Sequence, residues 1–175
     1  MADVTIARPD PTEYAAFYRG YINEVPDGNL LAQLEQQGRE TVAMFRSVDE
    51  QKSQHRYAPG KWTIREVLGH MIDAERVFTY RALTFARADT TSLPSFDENQ
   101  WAKTSNAGRR PMTELIPEYQ AVRAATIRLF RGFGDDEFAR TGMANNNPFT
   151  VRAVAYIVAG HERHHLKVLR ERYGV

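Results

Sequence analysis

The 175-residue sequence contains no cysteine. Disulfide bonds, zinc–thiolate sites and thiol redox chemistry of the protein itself are therefore excluded, and any bound metal must be held by nitrogen or oxygen ligands. The sequence also lacks an apolar run long enough to cross a bilayer, and its N-terminus lacks the apolar segment of a signal peptide. We therefore expect a cytoplasmic protein with no membrane partner.

An excess of charge of one sign is also missing, since 23 lysines and arginines stand against 22 aspartates and glutamates. The basic residues are scattered, whereas a nucleic-acid-binding surface normally shows them clustered on one face. We therefore expect no nucleic-acid partner. The length is close to the commonest domain size, and the hydrophobic content of 42% is ordinary for a globular protein. These values predict one domain over residues 1–175.

Helical periodicity recurs in four long stretches, and no stretch predicts a convincing strand. The predicted helices run from about Asn29 to Val48, from the cap Thr63 to about Ala86, from about Met112 to Arg131, and from Thr150 to Arg172. A shorter aromatic helix is expected after the cap Asp10. Residues 88–111 form a long connection that could be a lid or a crossover strap, and residues 135–149 are a polar connection. The pattern predicts an all-α four-helix bundle with a short extra N-terminal helix.

The sharpest local signal lies at the start of the second long helix. Thr63 and Glu66 have the spacing of a capping box, and Trp62 and Val67 occupy the two positions of a hydrophobic staple. The helix that begins here carries His70 on its inward side. Glu66 lies one turn before His70 and could accept the ring N–H of a metal-bound histidine. Its capping role would explain Glu66 equally well.

Two further histidines lie one turn apart on the last helix. At about 100° per residue, His161 and His165 are about 40° apart within an apolar stripe that also contains Val154 and Val168. Side chains at this spacing can reach a single metal ion. Together with His70 they would give three nitrogen ligands from two helices and leave coordination positions open, as in a catalytic site. Imidazole suits zinc, nickel, copper and iron alike, so the ion stays open.

The segment His161-Glu162-Arg163-His164-His165 also matches H-E-x-x-H, the signature of zinc metalloproteases. We give this interpretation little weight because only ten residues follow it, with no later histidine. The helical pattern also offers no strand against which a peptide could be aligned. Glu162 is therefore a candidate residue near the metal, although an ion-paired or solvated carboxylate is the preferred interpretation.

Three segments resemble the DinB/YfiT-like family. They are the helix opening from Lys61 to His70 with Asp73 and Glu75, the connection Phe96-Asp97-Glu98 with Trp101, and the pattern His161-x-x-x-His165. The resemblance covers most of the chain from about Leu30 onward. It implies a DinB/YfiT-type four-helix bundle with a long middle crossover, a divalent metal, often zinc or nickel, on His70, His161 and His165, and frequently a homodimer.

The resemblance also implies an activity. Some members of this family transfer low-molecular-weight thiols, such as bacillithiol or mycothiol, to electrophiles, and many others are known only as proposed metal-dependent hydrolases. Our first hypothesis is thiol transfer to an electrophilic small molecule, with the sulfur supplied by a cosubstrate. The second is a hydrolase using metal-bound hydroxide, and the third is a non-enzymatic stress-response binding bundle. No catalytic residue beyond the ligands is assigned.

Overall fold

Four long α-helices form the body of the protein in a computed structural model, which describes residues 5–175. In chain order the α-helices are α1 (Arg19–Asn23), α2 (Leu30–Arg46), α3 (Ile64–Ala86), α4 (Glu98–Thr104), α5 (Met112–Arg131), α6 (Asp135–Ala139) and α7 (Val151–Val168). The long ones are α2, α3, α5 and α7. No helix within the described residues is both long enough and apolar enough to cross a membrane.

Side-chain caps fix the starts of three of the long helices. Asn29 caps α2, Thr63 caps α3 and Thr150 caps α7, and each side-chain oxygen accepts a hydrogen bond from the backbone N–H three residues on. Such a cap satisfies one of the backbone donors that the first helical turn leaves unpaired. Glu66 completes the capping box of α3 by accepting a hydrogen bond from the backbone of Thr63. The predicted starts of these helices are confirmed.

The central helix of the bundle is α3, which packs along both α5 and α7. The second long helix, α2, packs on α5, and the short α1 packs on α7. Two apolar clusters fill the interior. One contains Phe85, Phe130 and Ile157, and the other contains Phe45 and Leu115. Both α3 and α7 pass from one cluster to the other, so the middle of each helix lies where the two clusters meet.

A close approach of α1 to α7 depends on Gly160. A Cβ atom at this position would lie 2.0 Å from the carbonyl oxygen of Tyr21, which is far inside van der Waals contact. Only a glycine therefore allows the backbone of α1 to lie directly on α7. This contact places the Tyr21 ring beside the His161 ring, with centroids 5.6 Å apart.

The prediction that residues 135–149 contain no strand is wrong. Strands β1 (Thr141–Ala144) and β2 (Asn147–Thr150) form an antiparallel hairpin directly before α7. The two loop residues, Asn145 and Asn146, have φ values of 49° and 57°, as a type I′ turn requires, and asparagine tolerates this conformation better than most residues. Gly142 in β1 lies against Phe85 of α3, where a Cβ would be 1.9 Å from a ring carbon.

Both ends of the helical body also differ from the prediction. The segment after Asp10 forms two 3₁₀ turns, Pro11–Glu13 and Ala16–Tyr18, before α1 begins. The break falls at Tyr14, which is buried in an extended conformation with φ −157°. Regular helix in α7 ends at Val168, and a π-helical turn at Leu169–Tyr173 follows.

The long connection of residues 88–111 is fixed to the hairpin. The backbone N–H of Leu93 donates to Met143, and the N–H of Asn145 donates back to Leu93. The short helix α4 then follows, capped by Asp97. The connection is therefore a strap that crosses from the end of α3 to the start of α5.

Candidate metal centre

The structure brings together the three histidines that the sequence predicts as ligands. His70 comes from the middle of α3, and His161 and His165 come from α7. The Nε2 atom of His161 lies 3.0 Å from Nε2 of His70 and 3.1 Å from Nε2 of His165. The ligating atoms of all three rings lie within 4.8 Å of one another.

Mutual hydrogen bonding cannot satisfy these three nitrogens. Each imidazole nitrogen has one in-plane position, which holds either a proton or a lone pair. Nε2 of His161 faces two other ring nitrogens, and one position cannot form two well-directed hydrogen bonds. Ligand nitrogens about 2.1 Å from a metal lie about 3.0 to 3.4 Å apart for right-angled to tetrahedral geometry. The two separations at His161, 3.0 and 3.1 Å, therefore match those of ligand nitrogens that share one divalent ion.

The rings are also in the protonation state that a metal requires. Burial lowers the pKa of His70 to about 4. Burial, together with the neighbouring histidines, lowers the pKa of both His161 and His165 well below its ordinary value. All three imidazoles are thus neutral near pH 7, which is the form that binds metal ions.

Aromatic side chains pack around His70 and His161 and limit the rotation of these two rings. The Trp62 ring centroid is 4.7 Å from that of His70. Tyr21 and Phe78 lie 5.6 and 5.5 Å from His161, each edge to face. Trp62 belongs to the hydrophobic staple of α3, so the motif that starts the helix also packs against its histidine.

The structure favours the capping role of Glu66 over a role at His70. The backbone N–H and the hydroxyl of Thr63 donate to Oε2 of Glu66 at 2.7 and 3.0 Å, and Arg56 forms a salt bridge with it at 3.2 Å. No hydrogen bond joins Glu66 to His70 anywhere in the described part of the chain. The hypothesis that Glu66 orients His70 through its ring N–H therefore has no support in the geometry.

Glu162 is buried in an ion-pair network and is not free at the three histidines. Arg123 donates to both Glu162 and Glu75, and the hydroxyls of Thr41 and Tyr119 donate to Glu162. The ion-paired interpretation of Glu162 agrees with this geometry, whereas a metalloprotease would need the carboxylate at the metal. Nothing in the sequence pattern singled out Arg123, because its partners are far away in the chain.

A cavity of about 470 Å³ opens beside the cluster, and His70 and His161 form part of its wall. The rest of the wall comes from the N-terminal turns and α1, from α3, from the strap and from the hairpin. Its side chains include Phe17, Tyr18, Tyr21, Phe78, Arg81, Phe96, Glu98, Asn145, Asn147 and Phe149. The strap and the hairpin therefore help to form the space in which a ligand would meet the histidines. Sequence analysis singled out neither Arg81 nor Asn147.

The remaining two histidines do not belong to the cluster. His164 is half-buried beside Tyr21, with ring centroids 5.2 Å apart. His55 is exposed and lies next to Tyr173. Only the histidines with the predicted inward positions on α3 and α7 share the site.

Known proteins with similar sequences carry names that agree with a metal site. A Geobacillus kaustophilus protein named "Putative metal-dependent hydrolase" is 29% identical over 125 residues, which are 67% of this chain and 69% of that protein. A Geobacillus thermodenitrificans protein of the same name is 26% identical over 125 residues, with the same coverage.

A solved structure has the same fold. YfiT from Bacillus subtilis, described as "a probable metal-dependent hydrolase with an unusual four-helix bundle topology", matches with a TM-score of 0.71. The match covers 86% of this chain and 91% of YfiT at 19% sequence identity. The predicted four-helix bundle of DinB/YfiT type is confirmed. The family model of the DinB superfamily matches residues 33–169. Because this match spans well over half of the sequence, the chain belongs to the DinB superfamily.

Proposed function

We propose that the protein is a metal-dependent enzyme acting on small molecules, with one divalent ion, zinc or nickel, held by His70, His161 and His165. The observation that carries the proposal is the convergence of three neutral imidazoles beside a cavity of about 470 Å³. Three protein ligands leave coordination positions for a substrate, which is typical of catalytic metal sites. The names of the relatives support a metal-dependent activity.

The finer proposal is transfer of a small thiol to an electrophile. A divalent ion bound at the site would lower the pKa of a coordinated water or thiol. The carboxylates of Glu66 and Glu162 are both engaged elsewhere, so neither is available as a general base at the histidines. A coordinated thiol depends less on such a base than coordinated water does, because a divalent ion such as zinc deprotonates a bound thiol outright, whereas bound water keeps a pKa of about 7. The chemistry of the site therefore favours a thiol as nucleophile.

In that reaction the thiolate sulfur forms a bond to the electrophilic carbon, and the leaving group departs with its electron pair. The cavity residues would hold both reactants. Phe78 and Phe96 supply apolar walls, while Asn147 offers an amide donor and acceptor. Since the chain contains no cysteine, the sulfur must come from the cosubstrate.

Hydrolysis is the second candidate, and the names of the relatives favour it. It would use the same three histidines and the same cavity, with water in place of the thiol. The two reactions can be distinguished because thiol transfer requires an added thiol and hydrolysis does not.

The test uses protein loaded with zinc or nickel, a panel of small thiols that includes bacillithiol, mycothiol, glutathione and cysteine, and chlorodinitrobenzene as a chromogenic electrophile. We expect a thiol-dependent rate that the His161→Ala variant lacks. A rate no higher than that of the variant with every thiol would remove the transferase proposal. Nitrophenyl esters without thiol test the second candidate, and hydrolysis that chelation abolishes would favour it. If both assays fail, the non-enzymatic binding bundle becomes the better hypothesis.

The homodimer that the family resemblance implies is a separate proposal. Sedimentation velocity distinguishes a 20.0 kDa monomer from a dimer of twice that mass. A single monomeric species at concentrations of tens of micromolar would reject it.

A further inference from the structure

Three arginines of the described chain are buried, and two of them have carboxylate partners. Arg65 pairs with Glu50, and Arg123 pairs with Glu75 and Glu162. The third, Arg81, is only 5% exposed. Within residues 5–175 it forms no salt bridge, and its one hydrogen bond donates to the carbonyl oxygen of Pro94 at 2.8 Å.

Most of the Arg81 donors therefore have no acceptor among the described residues, and the nitrogens without a hydrogen bond keep some contact with solvent. A guanidinium carries five N–H donors and stays charged at any physiological pH. Even partial removal of that charge from water is unfavourable unless a counter-charge or several acceptors replace the lost water. The carbonyl of Pro94 uses one donor and supplies no negative charge. Arg81 therefore has the capacity to bind an anion.

Arg81 lies where it could bind an anion inside the cavity that borders His70 and His161. Arg81 lies 11 residues after His70 on α3, which is three turns and within about 20° of the same face. The rise between them is about 16 Å, and long helical side chains lean towards the helix N-terminus, here towards His70. Both residues border the 470 Å³ cavity, with Phe78 between them along the helix.

We propose that Arg81 binds a carboxylate of a reactant, so that the site selects anionic small molecules. The planar fork of a guanidinium matches a carboxylate with two parallel hydrogen bonds. The histidine cluster would hold the reacting atom at one end of the cavity, and Arg81 would hold the anionic group several ångströms away. The identity of the reacting end rests on the proposed function, but the anion site itself does not.

Two acidic residues border the cavities that Arg81 lines, so each must be considered as a partner for it. Glu98 borders the cavity beside the histidines but is exposed, and it forms no salt bridge with Arg81. Asp73 borders a separate outer groove of about 350 Å³, which Arg81 and Tyr80 also line. The anion could therefore approach Arg81 from either side, and the experiment must separate the two.

The first experiment measures binding and needs no turnover. Calorimetry of the metal-loaded protein with succinate, and with the neutral succinamide, compares wild type with Arg81→Gln. We expect succinate to bind about 10- to 100-fold more weakly to the variant, because a hydrogen bond to a charged group is lost. Succinamide should bind both proteins equally poorly. Arg81→Lys, which keeps the charge, should be intermediate, and circular dichroism checks that each variant is folded.

Equal succinate affinity in wild type and Arg81→Gln would overturn the proposal. So would binding that His70→Ala abolishes while Arg81→Gln leaves it intact, since the anion would then sit on the metal. Tyr80→Ala changes only the outer groove, and Glu98→Gln changes only the cavity rim. We expect neither to weaken binding. A loss in Tyr80→Ala equal to that in Arg81→Gln would place the anion in the outer groove and overturn the proposal that Arg81 binds it in the cavity beside the histidines.

The second experiment identifies which reactant carries the carboxylate. Cysteine and cysteamine differ in the carboxylate of the thiol, and iodoacetate and iodoacetamide differ in that of the electrophile. If Arg81→Gln has a lower kcat/KM than wild type with cysteine but not with cysteamine, Arg81 binds the carboxylate of the thiol. If its kcat/KM is lower with iodoacetate but not with iodoacetamide, Arg81 binds the carboxylate of the electrophile. If succinate binding depends on Arg81 but no thiol reacts, the transferase proposal fails while the anion site stands. If turnover occurs and Arg81→Gln changes kcat/KM equally for both members of each pair, the proposal that the site selects anionic reactants is wrong.

Discussion

The role of Glu162 distinguishes two interpretations of this part of α7. In the structure Glu162 belongs to a buried ion-pair network, whereas the metalloprotease interpretation of the H-E-x-x-H pattern would place its carboxylate at the metal. Glu162 is 2% exposed and accepts hydrogen bonds from Thr41, Tyr119 and Arg123. Its replacement leaves the buried Arg123 with Glu75 as its only carboxylate partner among residues 5–175. We therefore expect Glu162 variants to lose stability, with metal binding of the folded protein kept.

The size of the loss follows from what each substitution leaves behind. Glu162→Ala removes one partner of a buried ion pair and leaves two hydroxyls without their acceptor, which costs about 3–5 kcal/mol. Glu162→Gln keeps one acceptor oxygen and the side-chain shape, and it should cost about 1–3 kcal/mol. Domains of this kind are stable by only about 5–15 kcal/mol, so the alanine variant should be partly unfolded on mild heating.

Urea denaturation at pH 7 measures the effect as a shift in midpoint. With a slope of about 2–3 kcal/mol/M, the glutamine variant should unfold at a midpoint lower by about 0.3–1.5 M. Glu171→Gln is the matched control, because Glu171 is exposed near the end of the same helical segment, and its effect should be within about 0.5 kcal/mol. An unchanged midpoint in Glu162→Gln together with lost metal binding or lost activity would refute this reasoning and return Glu162 to the metal.

Two further predictions concern the N-terminal segment. Burial would raise the pKa of Glu13, but hydrogen bonds from Arg152 and Thr150 outweigh it and hold that pKa below its ordinary value. Glu13→Gln should therefore be less stable than wild type at pH 7. The two urea midpoints should begin to converge as the pH falls through the unfolded-state pKa of about 4.3, and they should become equal only once the pH is below the lowered pKa of folded Glu13. Gly160→Ala should destabilise the protein by about 1–3 kcal/mol, because its Cβ would collide with Tyr21, whereas Gly20→Ala meets no atom within 4 Å and should be neutral or slightly stabilising. Equal thermal midpoints for the two alanine variants would contradict the packing of α1 on α7.

The long helices and the histidine cluster were predictable because local chemistry determines them. The capping box at Thr63 sets the start of α3 and therefore the direction in which His70 points. The one-turn spacing of His161 and His165 keeps them on one face of α7 wherever that helix packs. These features depend on neighbours within four residues, which a single sequence displays directly.

The hairpin and the buried polar groups were not predictable in the same way. The strands are only four residues each, and one contains Pro148, which is unfavourable inside a strand. Arg123 and Arg81 look like ordinary surface residues in a helical pattern. Their burial depends on partners from other helices and from the strap, and local periodicity carries no information about such contacts.

The most direct test of the central claim is the metal content of protein purified without an affinity tag. Elemental analysis after growth with added zinc or nickel should find about one divalent ion per wild-type chain. His70→Ala and His161→Ala should each lose it, whereas His55→Ala, which changes an exposed histidine outside the cluster, should retain it. Wild-type protein without a stoichiometric ion, or a His161→Ala variant with the same content as wild type, would contradict the assignment of the three histidines as a metal site.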